Sequence, residues 1–413
     1  MSAAASDPVA RLDGDRILLP GIATAHSHAF QRALRGRTQR RVSGSASFWS
    51  WRGLMYALAE ELDPERIYAL SRFTYAELAL AGVTAVGEFH YVHHQGDGTP
   101  YDDRIVLADA VVRAARDVGL RITLLRVLYH RAGPGLAPEG AQRRFSDASP
   151  DDALADVEAI ATRFRDDPAV TVGVAPHSVR AVPRHWLREA ASFARARRMP
   201  LHMHVAEQRR EIVECEGEHG LRPVQLLAED GVLDASFVAV HATHLLADEA
   251  RTLGAAASFA CVCRTTERDL GDGLCDAAAL VAAGTRLCTG ADSHAICDPF
   301  EEARAIELDD RSREEARHVA AEAPALLRAL THDGYAALGI EPACGDDRVA
   351  LSASDPSLAG ADPTLLDDAV VFGAAPRAVT DTTVLGRPVV RDGELAGYEA
   401  IRQAWEGTLA SMG

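Results

Sequence analysis

The chain has 413 residues, 47% of them hydrophobic and 25% charged, ordinary proportions for a soluble globular protein with room for one barrel and a small accessory domain. Its 43 basic and 60 acidic residues leave a net charge of −17, which argues against general nucleic-acid binding and makes any positive patch a local feature. Every basic residue is an arginine, so a Schiff-base lysine, a Walker-type phosphate loop and a carbamylated metal-bridging lysine are all excluded.

The seven cysteines, Cys215, Cys261, Cys263, Cys275, Cys288, Cys297 and Cys344, contain no C-x-x-C pair and sit mostly in apolar segments, the pattern of reduced core thiols. The opening MSAAASDPVARLDGD lacks the apolar core of a secretion signal, and no run approaches the roughly 18 apolar residues that cross a bilayer. A cytoplasmic protein is expected, meeting neither membrane nor nucleic acid.

In chain order, apolar β-type runs are expected at 17–25, 83–89, 122–128, 170–175, 201–206, 237–241, 258–262 and 286–290. Helical stretches alternate with them, among them 64–81, 103–118, 150–164, 184–198 and 301–308, several opening on Asp or Pro as in SPDDALADVEAIATRF. Eight β-then-α units with nearly continuous apolar strands predict an α/β fold, a closed parallel (β/α)8 TIM-type barrel over 17–340. The segments 1–16 and 341–413 are assigned to a small β domain built from the chain termini, its later part broken by Gly, Asp and Pro, with RDGE as a hairpin turn.

Polar residues gather where those strands end. His26 and His28 close the first strand, Tyr91 follows the second, His177 the fourth, His204 and Glu207 the fifth, His241 ends the sixth and Asp292 follows the eighth. In a (β/α)8 barrel these carboxyl ends converge on one face, and residues i and i+2 of a strand share a side, so His26 and His28 suit one metal ion. His-x-His alone is weak and a lone histidine is more often a satisfied core residue, but imidazoles and a carboxylate at several strand ends together indicate a metal site. That donor set suits Zn2+, with Fe2+ or Mn2+ also acceptable, and predicts metal-assisted hydrolysis.

The stretches LPGIATAHSHAFQRALRG, SFWSWRGLMY, GEFHYVHH, APHSVRAV, LHMHVAEQRREI, VHATHL, TTERDLGDG and GADSH resemble the amidohydrolase superfamily, and within it the formimidoylglutamate deiminases of histidine degradation, over almost the whole chain. HSHAFQR with FWSWR is far more specific than His-x-His. The resemblance implies one zinc held by His26, His28, His204 and Asp292, with Glu207 and His241 as the acid/base pair, Asp292 assisting proton removal, and Gln31, Arg52, Tyr91, His177 and Arg180 holding substrate. It implies hydrolytic deimination of N-formimino-L-glutamate to N-formyl-L-glutamate and ammonia. The expected partners are this small dicarboxylate amidine and a second copy of the chain in a homodimer.

Physical chemistry agrees, because guanidinium groups grip carboxylates through paired hydrogen bonds, and Arg52 and Arg180 are the candidates for those grips. The arginines between 32 and 41 would add an attractive field, or for Arg37, Arg40 and Arg41 merely a solvated loop. Two departures stand out: Arg264 occupies the place before TTE where the resemblance carries a proline, which predicts an altered pocket, and GDDRVALSAS matches poorly, which predicts a reduced accessory domain. The alternatives are a superfamily deaminase for a purine, pterin or similar ring, which should offer more stacking than 6% aromatic residues provide, and a catalytically silent metal-binding protein, against which Glu207 and Asp292 both stand.

Overall fold

The computed structural model describes residues 8–39, 48–340 and 345–412, and the side chains of residues 48 and 49 fall outside that description, as do Arg40, Arg41 and Cys344. The chain opens with an antiparallel hairpin, β1 (Arg11–Asp13) and β2 (Arg16–Pro20). Eight parallel strands follow: β3 (Ile22–Ser27), β4 (Val83–His90), β5 (Arg121–Leu128), β6 (Val170–Pro176), β7 (Leu201–Val205), β8 (Phe237–His241), β9 (Phe259–Val262) and β10 (Arg286–Thr289). They stand in chain order around a barrel, and β11 (Arg348–Ser352), β12 (Val379–Val384), β13 (Arg387–Arg391) and β14 (Glu394–Leu395) join the hairpin in a six-stranded antiparallel sheet ordered β1-β2-β11-β12-β13-β14.

The sequence pattern explains the layers. Strands β3, β4 and β5 are buried at every position because barrel residues face either the packed interior or the helical ring, so their sequences run apolar without alternation. The ring helices begin where polar caps stand: Asp63 accepts from the Glu65 and Arg66 N–H groups ahead of helix Pro64–Leu80, and Ser149 accepts from the Asp152 N–H ahead of helix Pro150–Arg163.

The run 17–25, expected as one strand, is two. Its first half pairs with β11 in the accessory sheet and its second half opens the barrel. Gly21 makes the transfer possible, since a Cβ there would collide with the Tyr335 hydroxyl and lie 2.8 Å from both Asp347 Cβ and Thr84 Oγ1. The amino-terminal share of the sheet therefore extends to Pro20, past the boundary expected at residue 16. Beyond residue 340 the chain is not only β: helices Leu366–Gly373 and Tyr398–Ser411 intervene, the second stacking Trp405 on Phe73 of the ring at 4.6 Å. The RDGE turn is a β13–β14 hairpin, with Asp392 (φ 49°) and Gly393 (φ 77°) both left-handed as a tight hairpin needs.

One carboxylate fastens the sheet to the barrel. Asp347, 0% exposed, accepts from Tyr335 Oη (2.5 Å), Arg121 Nε (2.7 Å) and the Leu385 N–H (2.8 Å). Removing it leaves Arg121 buried without its counter-charge, so Asp347→Ala is expected to cost about 3–5 kcal/mol of stability, read from the midpoint of a guanidinium denaturation curve. A midpoint equal to that of the parent protein would contradict this role.

Candidate active site

The barrel closes at its carboxyl end. Between β3 and β10 the pairing is a single parallel bridge, Ser27 with Asp292, in which the His28 N–H donates to the Asp292 carbonyl (2.9 Å) and the Asp292 N–H to the His26 carbonyl (3.0 Å). Gly290 permits the approach: a Cβ there would lie 2.7 Å from His26 Cβ and 2.8 Å from Cys263 Sγ. The same end concentrates backbone strain, with Ala206 (φ 50°), His241 (φ 67°), Ala242 (φ 50°), Asp292 (φ 48°) and His294 (φ 56°) all left-handed. Each such non-glycine residue costs about 1–3 kcal/mol, which is tolerated where the surroundings over-determine a functional geometry.

These turns bring the expected donors together. The ring nitrogens of His26, His28 and His204 lie within 4.8 Å of one another, and so do ligand atoms of His26, His241 and Asp292. His26 Nε2 is 3.2 Å from His204 Nε2 and 3.4 Å from Asp292 Oδ1, and His28 Nε2 is 3.4 Å from the same oxygen. The backs of two rings are fixed: His28 Nδ1 donates to the Phe89 carbonyl and His204 Nδ1 to the His177 carbonyl, both at 3.0 Å. A carbonyl only accepts, so both rings carry their hydrogens on Nδ1 and turn Nε2 lone pairs inward, His28 toward Asp292 Oδ1 and His204 toward His26 Nε2. Burial holds all three imidazoles neutral, lowering His28 to about 3 and His26 and His204 well below the usual histidine range. Buried lone pairs facing a carboxylate oxygen repel one another unless a cation sits between them, so the residues present fit a metal ion. His202, which shares the His204 side of β7, points instead to the floor of the barrel and the Ala337 carbonyl (2.8 Å).

Beside this cluster lie Glu207 and His241. Burial raises the Glu207 pKa and the nearby Asp292 adds to it, while His241 and Arg180 oppose the rise. For His241 burial disfavours the charged ring, but the carboxylates of Glu207 and Glu267 outweigh it and lift its pKa well above the usual value. Its Nε2 is 3.8 Å from Asp292 Oδ2, and its Nδ1 lies 3.4 Å from Glu267 Oε1.

A cavity of about 590 Å³, counted to its open mouth, rises from these groups. His28, His204, Glu207, His241 and Asp292 form its floor, and all five residues expected to hold substrate, Gln31, Arg52, Tyr91, His177 and Arg180, line it as well. Gln31 Nε2 donates to Tyr91 Oη at 2.8 Å, His177 Nδ1 meets Ser178 Oγ at 3.1 Å, and the Arg52 guanidinium lies over the Tyr56 ring at 4.9 Å. Arg180 gives one amino group to the Ala132 carbonyl (2.8 Å), and among the described residues no carboxylate pairs with it.

Trp51, Met55, Tyr56, Tyr129, Phe145 and Leu270 complete the wall without having been expected there. Tyr129 directly follows β5 and was open to the same strand-end argument, and Trp51, Arg52, Met55 and Tyr56 have the spacing of one helix face. Phe145 and Leu270 gave no signal. Arg264, expected to reshape the cavity, does not line it: fully buried, it donates to Glu267 Oε2 (3.2 Å) and the Cys275 carbonyl (3.3 Å), because the helix it starts turns that side chain into the layer beneath. Of the arginines behind HSH, Arg32 and Arg35 do not feed the cavity either, since both close on Glu77, at 2.7 and 2.6 Å; Arg40 and Arg41 lie outside the described residues.

Comparison with known proteins extends the geometry to the whole chain. Residues 17–387 match the model of the amidohydrolase family. Formimidoylglutamate deiminase of Pseudomonas aeruginosa is 36% identical over 98% of this chain and 91% of its own length, and 8-oxoguanine deaminase of the same organism is 30% identical over 68% and 61%. Among solved structures, an amidohydrolase from Brucella melitensis superposes with a TM-score of 0.89 at 33% identity, covering 96% of this chain and 89% of that one. An adenosine deaminase from Xanthomonas campestris with bound zinc shares the fold, with a TM-score of 0.79 at 23% identity over 96% and 87% of the two chains. A barrel whose strand ends converge four histidines, an aspartate and a glutamate, matched across nearly its full length by these relatives, belongs to the amidohydrolase family.

Proposed function

We propose that this protein hydrolyses N-formimino-L-glutamate to N-formyl-L-glutamate and ammonia. The carrying observation is the cavity layout: an imidazole and carboxylate cluster forms the floor and two guanidinium groups, Arg52 and Arg180, stand in the walls, which suits a dicarboxylate with an amidine-like head. The likeness to the Pseudomonas aeruginosa deiminase over 98% of the chain supports the same substrate.

His26, His28, His204 and Asp292 would hold the metal, and their donor types favour zinc, with Fe2+ or Mn2+ as alternatives. Bound there, such an ion supplies a water acidic enough to react near neutral pH. Glu207 takes a proton from the attacking water, with Asp292 able to share it, and delivers a proton to the nitrogen that leaves as ammonia. At the formimino carbon the C=N double bond is exchanged for C=O through a tetrahedral intermediate, both protons of the water end on the nitrogen that leaves, and the formyl group stays on the glutamate nitrogen. His241, held cationic by its carboxylate neighbours, steadies the oxygen as charge builds on it. Gln31, Tyr91 and His177 hold the chain of the substrate between floor and arginines.

Ammonia release from N-formimino-L-glutamate, with formylglutamate identified as product and zinc measured in the same sample, tests the reading; fully metallated protein that releases none would refute it. Arg180→Met and Arg52→Met are each expected to raise KM about 10–100-fold with a smaller effect on kcat, the loss of one charge-assisted grip of roughly 1.5–3 kcal/mol. Steady-state kinetics showing an unchanged KM in both would remove the arginines from substrate binding.

A second reading has one observation in its favour: five aromatic residues, Trp51, Tyr56, Tyr91, Tyr129 and Phe145, line the cavity, more stacking surface than the composition suggests. A purine or pterin ring could use it. One of these faces is already covered, however, since the Arg52 guanidinium lies over the Tyr56 ring at 4.9 Å. Turnover of guanine-type rings in preference to formiminoglutamate would reverse the order of the two readings.

A further inference from the structure

Glu267 is a buried carboxylate that meets none of the reacting atoms in the steps above and reaches them only through His241. It sits in the short helix Arg264–Leu270 after β9, outside the cavity lining. Its Oε1 lies 3.4 Å from His241 Nδ1 and accepts the Cys263 N–H at 3.0 Å, and its Oε2 accepts from Arg264 Nη1 at 3.2 Å. Arg264, 0% exposed, is itself steadied by the Cys275 carbonyl (3.3 Å), Asp310 (3.7 Å) and Asp309 (3.8 Å). Ligand atoms of His241, Cys263 and Glu267 come within 4.8 Å of one another, yet this cluster needs no second metal ion, because the Arg264 guanidinium already supplies the positive charge.

We propose that Glu267 is a positioning residue for His241, and that Arg264, bonded to its other oxygen, holds Glu267 in place. Both Glu267 oxygens already accept, from the Cys263 N–H and from Arg264, so the His241 nitrogen facing Oε1 is placed as a further donor and the other nitrogen is presented to the cavity beside Asp292. The ring also stacks on His204 at 5.4 Å and meets His26 edge to face at 6.0 Å. Glu267 thus fixes the tilt of a ring whose backbone is strained at φ 67°, in the way a third group orients the base of a catalytic triad. This inference rests on the reading of His241 as the group that meets the reacting oxygen, and it gives Arg264, where relatives are expected to carry proline, a part in the site that it does not touch.

The test uses zinc-loaded protein and two readouts. In Glu267→Gln, kcat for formiminoglutamate is expected to fall about 10–100-fold with KM held within about twofold and zinc content unchanged, as for other partners that orient a reacting group from behind. In the His241→Asn background the same change should leave the residual rate as it was, because Glu267 acts only through that ring. Independently of any substrate, the Nδ1 proton of His241 in protein carrying 15N-labelled histidine, assigned by its absence in His241→Asn, should move upfield in Glu267→Gln, since an amide oxygen accepts more weakly than a carboxylate. Should Glu267→Gln fail to fold, Glu267→Gln with Arg264→Met removes both buried charges together and is expected to show the same losses. An unmoved Nδ1 proton, or a rate loss as large without His241 as with it, would overturn the proposal. Failure of the wild type to act on formiminoglutamate would strike the substrate reading alone, because the proton signal does not depend on turnover.

Discussion

Glu207→Gln is expected to lower kcat by about 10³-fold while leaving metal content and fold intact, the middle of the range for losing a general acid and base. The substitution keeps the shape of the side chain and removes its ability to carry a proton. Its backbone is held from elsewhere: the Ala206 and Glu207 N–H groups both donate to Glu211, at 3.3 Å, so the left-handed turn after β7 survives the change. Glu211 does not replace the lost group. It is absent from the cavity lining, and burial, reinforced by the Glu207 charge, raises its pKa to about 7. KM should move little, because the arginines and Gln31 proposed to hold the substrate are untouched. Kinetics with zinc determined on the same protein decides the matter: full turnover would shift the proton-carrying role to Asp292, while loss of zinc in step with loss of activity would make Glu207 a ligand rather than a proton carrier.

Much of this site was legible in the sequence because a parallel barrel converts position along a strand into position in space. His26, His204, His241 and Asp292 are scattered over the chain, yet each ends a strand or directly follows one, and that is sufficient to gather them. Where the reading failed, the missing information was three-dimensional or had been passed over. The Pro20-Gly21 pair is a break signal within an apolar run, and taking 17–25 as one strand ignored it. Arg264 stands at a strand end by the same rule that found His241, but whether a side chain there faces the cavity or the ring depends on the helix that follows and on Asp309 and Asp310, far along the chain. Glu267 was hidden for the same reason: within TTER nothing distinguishes a carboxylate that backs a histidine from one that faces solvent. Leu270 ends the short helix after β9 and Phe145 directly follows the 3-10 turn Gly140–Arg144, and no periodicity records that both come to line the cavity.

Removing the metal with a chelator is expected to abolish turnover, and restoring Zn2+ to return it, with a parallel change in thermal stability. Without a cation the His28 lone pair faces the Asp292 oxygen and the His204 lone pair faces His26 Nε2 in a buried setting, and the Asp292 backbone also makes the single bridge that joins β3 to β10. Local repulsion therefore falls on the line where the barrel closes. A ligand that binds only the folded state at a thousand times its dissociation constant stabilises it by about 4 kcal/mol, which for a chain of this size corresponds to a rise of roughly five degrees in Tm. His28→Ala should lose both the activity and the zinc dependence of Tm, since it deletes one donor without touching the accessory sheet. Asp347→Ala provides the contrast: it should lower Tm at every zinc concentration while keeping the increment that zinc gives, because its partners Arg121 and Tyr335 lie at the opposite end of the barrel. Activity that survives chelation, or a Tm indifferent to zinc in the parent protein, would show that the converging imidazoles do not hold a metal that matters to the reaction. Reconstitution with Fe2+ and Mn2+ beside Zn2+ then ranks the ions by turnover, which the donor set alone leaves open.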